Sequence, residues 1–125
     1  MLDTLSIANM KSSLDSLTAF NNRYYTSATG KKASQWIFDK LTSIASGKKG
    51  VSVTKFAHSW VQFSVITRIN GTTSDPKSPV TILGCHIDSI NLNDRENGRA
   101  PGADDVRFFF EVALHNSYRN SIPTA

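Results

Sequence analysis

An imidazole and three carboxylates stand close together in the C-terminal half of this sequence. His86 and Asp88 follow the apolar run VTILGC at residues 80–85, and Asp104 and Asp105 follow a Pro-Gly pair. Imidazole nitrogens and carboxylate oxygens are donors that a zinc ion accepts. Adjacent carboxylates repel each other unless solvent screens them or a cation lies between them. A metal site is one interpretation of these residues, and a hydrogen-bonded His–Asp pair in a loop and an exposed acidic turn are the others.

The spacing of His86 and Asp88 suggests a different role for each residue. Side chains two positions apart lie on the same side of an extended chain, so Asp88 is able to reach back towards the imidazole. A carboxylate in that position fixes the tautomer of a metal-bound histidine and raises its basicity. We therefore interpret His86 as a metal ligand and Asp88 as the group that supports it.

Two helices are predicted in the first half of the chain. Met10, Leu14, Leu17 and Phe20 recur at helical spacing, and the pair at residues 21–22 closes that segment. Thr29-Gly30 precedes a second helix, and Ser46-Gly47 and Gly50 end it. One apolar face of that helix, with Trp36 as core packing, consists of Ala33, Trp36, Ile37, Leu41 and Ile44.

The middle of the chain predicts strands. Val51 and Val53 alternate with polar residues, as do the apolar positions of residues 61–69, and these two strands are expected to pair as a hairpin across residues 56–60. Residues 70–79 form a turn-rich loop. The apolar run at residues 80–85 does not alternate, which is typical of a strand covered on both faces. The expected fold class is α/β, and open α/β sheets place their sites at the carboxyl ends of strands, where His86 lies.

Composition and charge restrict the possible functions. At 125 residues the chain forms at most one domain, and it lacks an apolar run long enough to span a membrane. Its net charge is +4, but the basic residues are scattered and do not form a stripe with aromatic residues, so nucleic acid is not an expected partner. Cys85 is the single cysteine and is expected to be a buried thiol. The first ten residues do not form a signal peptide.

A polar loop at residues 91–99 offers oxygen donors at Asp94, Glu96 and Asn97. Calcium is one interpretation, but the spacing does not fit the alternating donors, central glycine and final glutamate of a calcium-binding EF-hand loop. A solvated loop is therefore the better interpretation.

Six segments together make the sequence resemble the secreted dizinc leucyl aminopeptidases of the fungal and bacterial type. The last two are the most specific, and their order and spacing also fit the family. The segments are LTAFNNRYY at residues 17–25, SQW at 34–36, GVSV at 50–53, HSW at 58–60, GCHIDSIN at 84–91 and GRAPGADD at 98–105. The resemblance extends from about residue 5 to residue 105.

The resemblance implies a three-layer α/β/α sandwich with a mostly parallel central sheet, of which this chain contains a truncated part. It implies zinc-dependent removal of an N-terminal residue, often leucine, from peptides. On the matching positions, His86 binds one zinc ion, Asp88 is the catalytic-site residue that supports it, and Asp105 bridges two zinc ions. Asp104 is a structural neighbour. Two cations lower the pKa of a shared water molecule, and a glutamate acts as general base.

The sequence departs from the family pattern at residue 106. The family continues with a third aspartate, Gly-Ser-Gly, a Glu-Glu pair, another aspartate and a distant histidine, whereas this chain continues VRFFFEV. We interpret residues 1–105 as the N-terminal part of a zinc aminopeptidase catalytic domain and residues 106–125 as a divergent tail. Glu111 and His115, spaced for one helix face, are not supported as replacements by the family pattern.

The Val106-Arg107 pair suggests an origin for the tail. Its codons can match the start of an intron, so residues 106–125 are hypothesised to be translated intron, the alternative being a genuine divergent C-terminus. The hypothesis fails if codons 106–107 in the genome do not fit a splice donor, or if no family-like sequence follows in frame.

Three hypotheses for the function of this chain are open. The chain is a zinc exopeptidase domain by descent with little or no activity of its own, or a non-catalytic binding or regulatory fragment, or a piece whose open sheet edge makes it aggregate. The resemblance suggests export, and the sequon at residues 70–72 agrees with it. Oligomeric state and substrate preference are not predicted from the sequence.

Overall fold

The computed structural model describes residues 6–71 and 79–103. The elements run in the order α1 (Ile7–Thr18), α2 (Ala28–Ala45), β1 (Val51–Phe56) and β2 (Ser64–Ile69). This arrangement confirms the α/β class. Within the described ranges, no helix is both long and apolar enough to cross a membrane.

Both helices form where the apolar periodicity predicts them. Helix α1 begins after Ser6, whose hydroxyl accepts a hydrogen bond from the amide of Asn9 at 3.2 Å. Helix α2 begins earlier than predicted, because Ser27 and not the Thr29-Gly30 pair caps it. The Ser27 hydroxyl accepts from the Gly30 amide at 2.9 Å, which satisfies one of the unpaired donors of the first turn. Ala33 and Leu41 are buried on the predicted face, Trp36 and Ile37 are half-buried, and Ile44 is exposed.

The predicted hairpin is confirmed. Strands β1 and β2 pair antiparallel, with Val51 opposite Ile69 and Phe56 opposite Ser64, and residues 57–63 connect them. The half-buried face packs against α2. Lys55 lies on that side, with its ammonium group 4.4 Å from the ring centre of Phe38 and 4.6 Å from that of Phe63. The two rings attract the cation while its alkyl stem covers apolar surface.

The apolar run at residues 80–85 does not form a strand, so that prediction is wrong for this structure. Val80 and Ile82 are 82% and 85% exposed, and Leu83 is also exposed. A covered strand needs neighbouring backbone on its edges and packed elements on its faces. In the described part of the chain the sheet consists of the β1–β2 hairpin alone, and this run does not join it. Cys85, expected to be buried, is half-buried and forms no disulfide bond.

Gly30 provides a test of the packing between α2 and the segment before it. A Cβ atom at this position would lie 1.9 Å from the carbonyl oxygen of Tyr24, so the backbone itself would have to move. We expect Gly30→Ala to lower the free energy of unfolding by about 1–3 kcal/mol despite the better helix propensity of alanine. Urea unfolding followed by circular dichroism measures the change. Gly71→Ala is the matched control, since a Cβ there meets no atom within 4 Å; equal stabilities of the two variants would contradict the assignment.

Candidate metal centre

His86 and Asp88 form a hydrogen-bonded pair. Nδ1 of the His86 imidazole lies 2.9 Å from Oδ1 of Asp88 and 3.1 Å from the main-chain oxygen of the same residue. Both side chains are about half exposed, at 50% and 45%. With two oxygen atoms facing Nδ1, the tautomer with a proton on Nδ1 is favoured. The alternation of side chains thus brings the carboxylate to the imidazole as predicted.

Arg23 is completely buried, and its guanidinium contacts the backbone between these two residues. Its Nε atom donates to the carbonyl oxygen of Ile87, the residue between His86 and Asp88, at 2.9 Å. Nη1 donates to Pro101 O at 3.0 Å and to Leu17 O at 2.7 Å, and Nη2 donates to Gly102 O at 3.0 Å. One cation therefore joins three parts of the chain: the end of α1, residues 86–89 (the His–Asp segment) and the turn that leads towards residues 104–105.

The main chain of Arg23 adds further hydrogen bonds to the same region. Its amide donates to the carbonyl oxygen of Ser89 at 2.9 Å. Its own carbonyl oxygen accepts from Nε2 of Gln62, a buried residue of the β1–β2 connection, at 3.2 Å. The Gln62 side chain also donates to Gly30 O at 3.2 Å. Arg23 and its partner Gln62 thereby join the hairpin connection to the start of α2 and to the His–Asp segment.

Asn22 holds the polar loop at residues 91–100 in a similar way. It is completely buried, and its Nδ2 atom donates to Glu96 O at 2.8 Å and Gly98 O at 3.2 Å. Its Oδ1 atom accepts from the hydroxyl groups of Ser27 and Thr29, each at 2.8 Å. Every polar atom of this side chain is thus engaged. The carboxamide connects the cap of α2 to the loop that precedes the Pro-Gly turn.

The polar loop also stabilises its own turns. Oδ1 of Asn91 accepts from the Asn93 amide at 2.9 Å, and Oδ1 of Asp94 accepts from the Asn97 amide at 3.0 Å. These are the local side-chain-to-backbone bonds that Asn and Asp make in turns. The side chains considered for calcium are therefore used in part to shape the loop, in agreement with the interpretation as a solvated loop.

An aromatic cluster borders this region. Tyr25 contacts Tyr24 and Trp60, with ring centres 4.7 Å and 5.3 Å apart, and His58 stacks on Trp60 at 4.6 Å. The side-chain hydrogen bond with Tyr24 raises the pKa of Tyr25 above its usual value, and the positive charge of Arg95 acts in the opposite direction. His58 donates or accepts a hydrogen bond with the Ser64 hydroxyl at 2.8 Å, so this histidine is engaged in the hairpin and not in the candidate centre.

The structure brings together some of the predicted site residues, and others lie beyond its described part. His86 and Asp88 are in contact. Asp104, Asp105, Glu111 and His115 lie outside the described residues. Within residues 6–71 and 79–103 no group of three or more His, Cys, Asp or Glu side chains is placed to hold a metal ion. The assignment of His86 and Asp105 as metal ligands therefore stays a prediction.

Sequence reasoning missed Asn22 and Arg23. The pair at residues 21–22 was interpreted only as the end of α1, and Arg23 only as part of a family-like segment. One property of the sequence could have drawn attention to them: an arginine between two asparagines and two tyrosines is surrounded by groups that pack or form hydrogen bonds. The carbonyl oxygens that Asn22 reaches at Glu96 and that Arg23 reaches at Ile87 lie more than 60 positions away in the chain, which local spacing does not show.

Comparison with known proteins finds leucine aminopeptidases among the relatives of this chain. The chain is 47% identical over 107 residues to the probable leucine aminopeptidase of Arthroderma benhamiae, which covers 84% of this chain and 27% of the relative. It is 43% identical over 109 residues to leucine aminopeptidase 1 of Penicillium rubens, with the same two coverages. Leucine aminopeptidase 1 of Emericella nidulans is 42% identical over 105 residues, covering 81% of this chain and 26% of the relative. The chain thus spans about a quarter of the length of these curated relatives. No protein-family model matches it.

Asn22→Asp tests the buried carboxamide with almost no change in shape. The substitution keeps the oxygen that accepts from Ser27 and Thr29 but turns a donor into an acceptor opposite the carbonyl oxygens of Glu96 and Gly98. We expect a loss of at least about 2 kcal/mol in the free energy of unfolding, because two buried acceptors lose their donor and a buried carboxylate faces them. Urea unfolding measures the loss, and limited proteolysis of residues 91–100 shows where it occurs.

Asn93→Asp is the control for this variant. Asn93 is exposed in the same loop, so the same chemical change should leave stability within about 0.5 kcal/mol of the original chain. Similar losses in both variants would show that added negative charge, and not the lost donor, is responsible.

Proposed function

This chain is a relative of the leucine aminopeptidases, and we propose on that premise that residues 84–105 form part of the metal centre of an aminopeptidase. The relatives are named for the removal of N-terminal residues. In this chain the proposed substrate is accordingly a peptide with a free amino terminus and a leucine-like first residue. A peptidase ancestry follows from the relatives, and the centre itself is the proposal.

The observation that supports the proposal best is the contact between His86 and Asp88. A carboxylate 2.9 Å from Nδ1 orients the ring and increases its basicity, so that Nε2 is the nitrogen that would bind the metal. The half-exposed position of the pair leaves a metal ion access from solvent. An imidazole nitrogen is a zinc ligand, and a carboxylate on the other ring nitrogen is the usual support for such a ligand. On these grounds the residues fit the cation that the resemblance implies.

The proposed roles are divided among three residues. In the proposed centre His86 would bind one zinc ion, Asp88 would hold the imidazole in its ligating tautomer, and Asp105 would supply a carboxylate shared with a second ion. Zinc bound in such a centre supplies Lewis acidity towards the peptide carbonyl and lowers the pKa of a water molecule. The protein contributes the orientation of its donors, and Asp88 acts through the imidazole and not on the substrate.

The larger architecture belongs to the same proposal. The helix pair and hairpin described above are proposed to be part of a three-layer α/β/α sandwich with a mostly parallel central sheet. Export from the cell is proposed from the resemblance to secreted enzymes and from Asn70, which is exposed at the end of β2.

A second candidate function is a non-catalytic binding or regulatory fragment. The observation in its favour is that the sequence departs from the family pattern at residue 106. The sequence after residue 105 also lacks the glutamate pair of the family pattern, so we propose that the 125 residues alone have little or no peptidase activity. Release of leucine from leucine-p-nitroanilide by purified chain, abolished by a chelator, would contradict that part of the proposal.

His86→Ala tests the centre through metal binding, independently of catalysis. We expect the 125-residue chain to bind zinc and His86→Ala to bind it at least tenfold more weakly, because the histidine supplies the nitrogen donor. Competition with a zinc-sensitive dye at fixed pH measures the affinity. His58→Ala is the matched control, since His58 is paired with Ser64 in the hairpin and should leave zinc affinity unchanged. Equal affinities of the two variants would reject the centre.

A further inference from the structure

We propose that Arg23 is a positioning residue for the candidate metal centre: its guanidinium sets the geometry of the His86–Asp88 pair and fixes it relative to the turn at Pro101 and Gly102. The inference rests on the proposed function only where it concerns metal affinity. Its structural part, the control of the His86–Asp88 pair, is testable without a metal ion.

The hydrogen bonds of Arg23 hold the backbone next to His86 and Asp88. The guanidinium donates to Ile87 O, and the Arg23 amide donates to Ser89 O, so that one residue fixes the backbone on both sides of Asp88. His86 and Asp88 are the residues immediately before and after Ile87. A shift of the Ile87 carbonyl would change the separation of Nδ1 and Oδ1, which is now 2.9 Å.

The opposite side of the same planar group determines where the turn lies. Nη1 and Nη2 donate to the consecutive carbonyl oxygens of Pro101 and Gly102, both at 3.0 Å. Because the guanidinium is rigid and planar, its Nε and Nη donors impose a fixed separation between Ile87 O and these two oxygens. A lysine has the same charge but a single flexible ammonium group, and it would not reproduce this separation.

Burial strengthens the hydrogen bonds of Arg23. Arg23 is 0% exposed, so water does not compete for the carbonyl oxygens, and each hydrogen bond is stronger than it would be at the surface. Supporting groups around metal ligands typically change metal affinity ten- to a hundredfold when they are altered. We expect an effect of that size from a change at Arg23, although this side chain is not itself a proposed ligand.

Arg23→Lys is the test variant, and Arg99→Lys is its matched control. Arg99 also donates to a carbonyl oxygen at the end of α1, that of Thr18 at 3.3 Å, but it is exposed, and within the described residues no side-chain hydrogen bond joins it to residues 86–89. The first measurement is the imidazole 15N spectrum of the metal-free 125-residue chain, with the His86 signals assigned through His86→Gln. It reports the tautomer of His86 directly.

The expected result is an Nδ1-protonated His86 in the original chain and in Arg23→Lys a mixture of tautomers like that of a free histidine. Arg99→Lys should keep the original spectrum. Zinc affinity, measured by dye competition, should fall ten- to a hundredfold in Arg23→Lys and remain unchanged in Arg99→Lys. A role limited to stability would lower the melting temperature of Arg23→Lys and leave its His86 spectrum intact at temperatures where it is folded, which would overturn the inference.

The remaining outcomes also decide between the two proposals. If the original chain does not bind zinc, or His86→Ala binds it equally well, the proposed function fails, and the His86 spectra alone judge the role of Arg23. If Arg23→Lys does not fold, Arg23→Gln, which keeps a planar donor, replaces it. If neither variant folds while Arg99→Lys does, Arg23 is a residue of the fold in general, and the positioning role is rejected.

Discussion

The buried guanidinium of Arg23 is the interaction on which the described structure depends. Removing a charged group from water costs several kcal/mol, and the cost is offset here by hydrogen bonds to four main-chain carbonyl oxygens from three separate segments. The end of α1, the His–Asp segment and the turn before residues 104–105 are therefore fixed relative to one another.

The interior around this group is unusually polar. Within the described residues the largest completely buried side chains are Arg23, Asn22 and Ser34, whereas the buried apolar residues are Ala33, Leu41 and Ala100. Apolar packing is non-directional and tolerates small shifts, but hydrogen bonds lose strength when their angles change. A region held mainly by buried hydrogen bonds is therefore stabilised in one geometry. That property suits a segment whose proposed task is to orient metal ligands.

The parts of the fold that could be predicted are those governed by local pattern. Helical spacing located α1 and α2, and alternation located the hairpin, because both patterns are set by residues close together in the sequence. The His86–Asp88 contact was predictable for the same reason, since a single residue, Ile87, separates the two groups. The roles of Asn22 and Arg23 were not, because the segments that they join to the start of the chain lie more than 60 positions away and only the folded chain brings them near. The start of α2 was misplaced because Ser27 and Thr29 are both suitable N-cap residues, and the structure uses the first.

The failure of the strand prediction at residues 80–85 has a different cause. The composition of this run is that of a covered strand, but coverage depends on neighbours, and the described residues do not supply them. The change along the segment is informative. Val80 and Ile82 extend into solvent, whereas residues 87–91 are half-buried, and the transition coincides with the first hydrogen bonds from Arg23, at Ile87 and Ser89. His86 and Asp88 therefore lie where the segment becomes fixed. Their contact owes its geometry to the hydrogen bonds that follow it in the chain and not to the apolar run that precedes it.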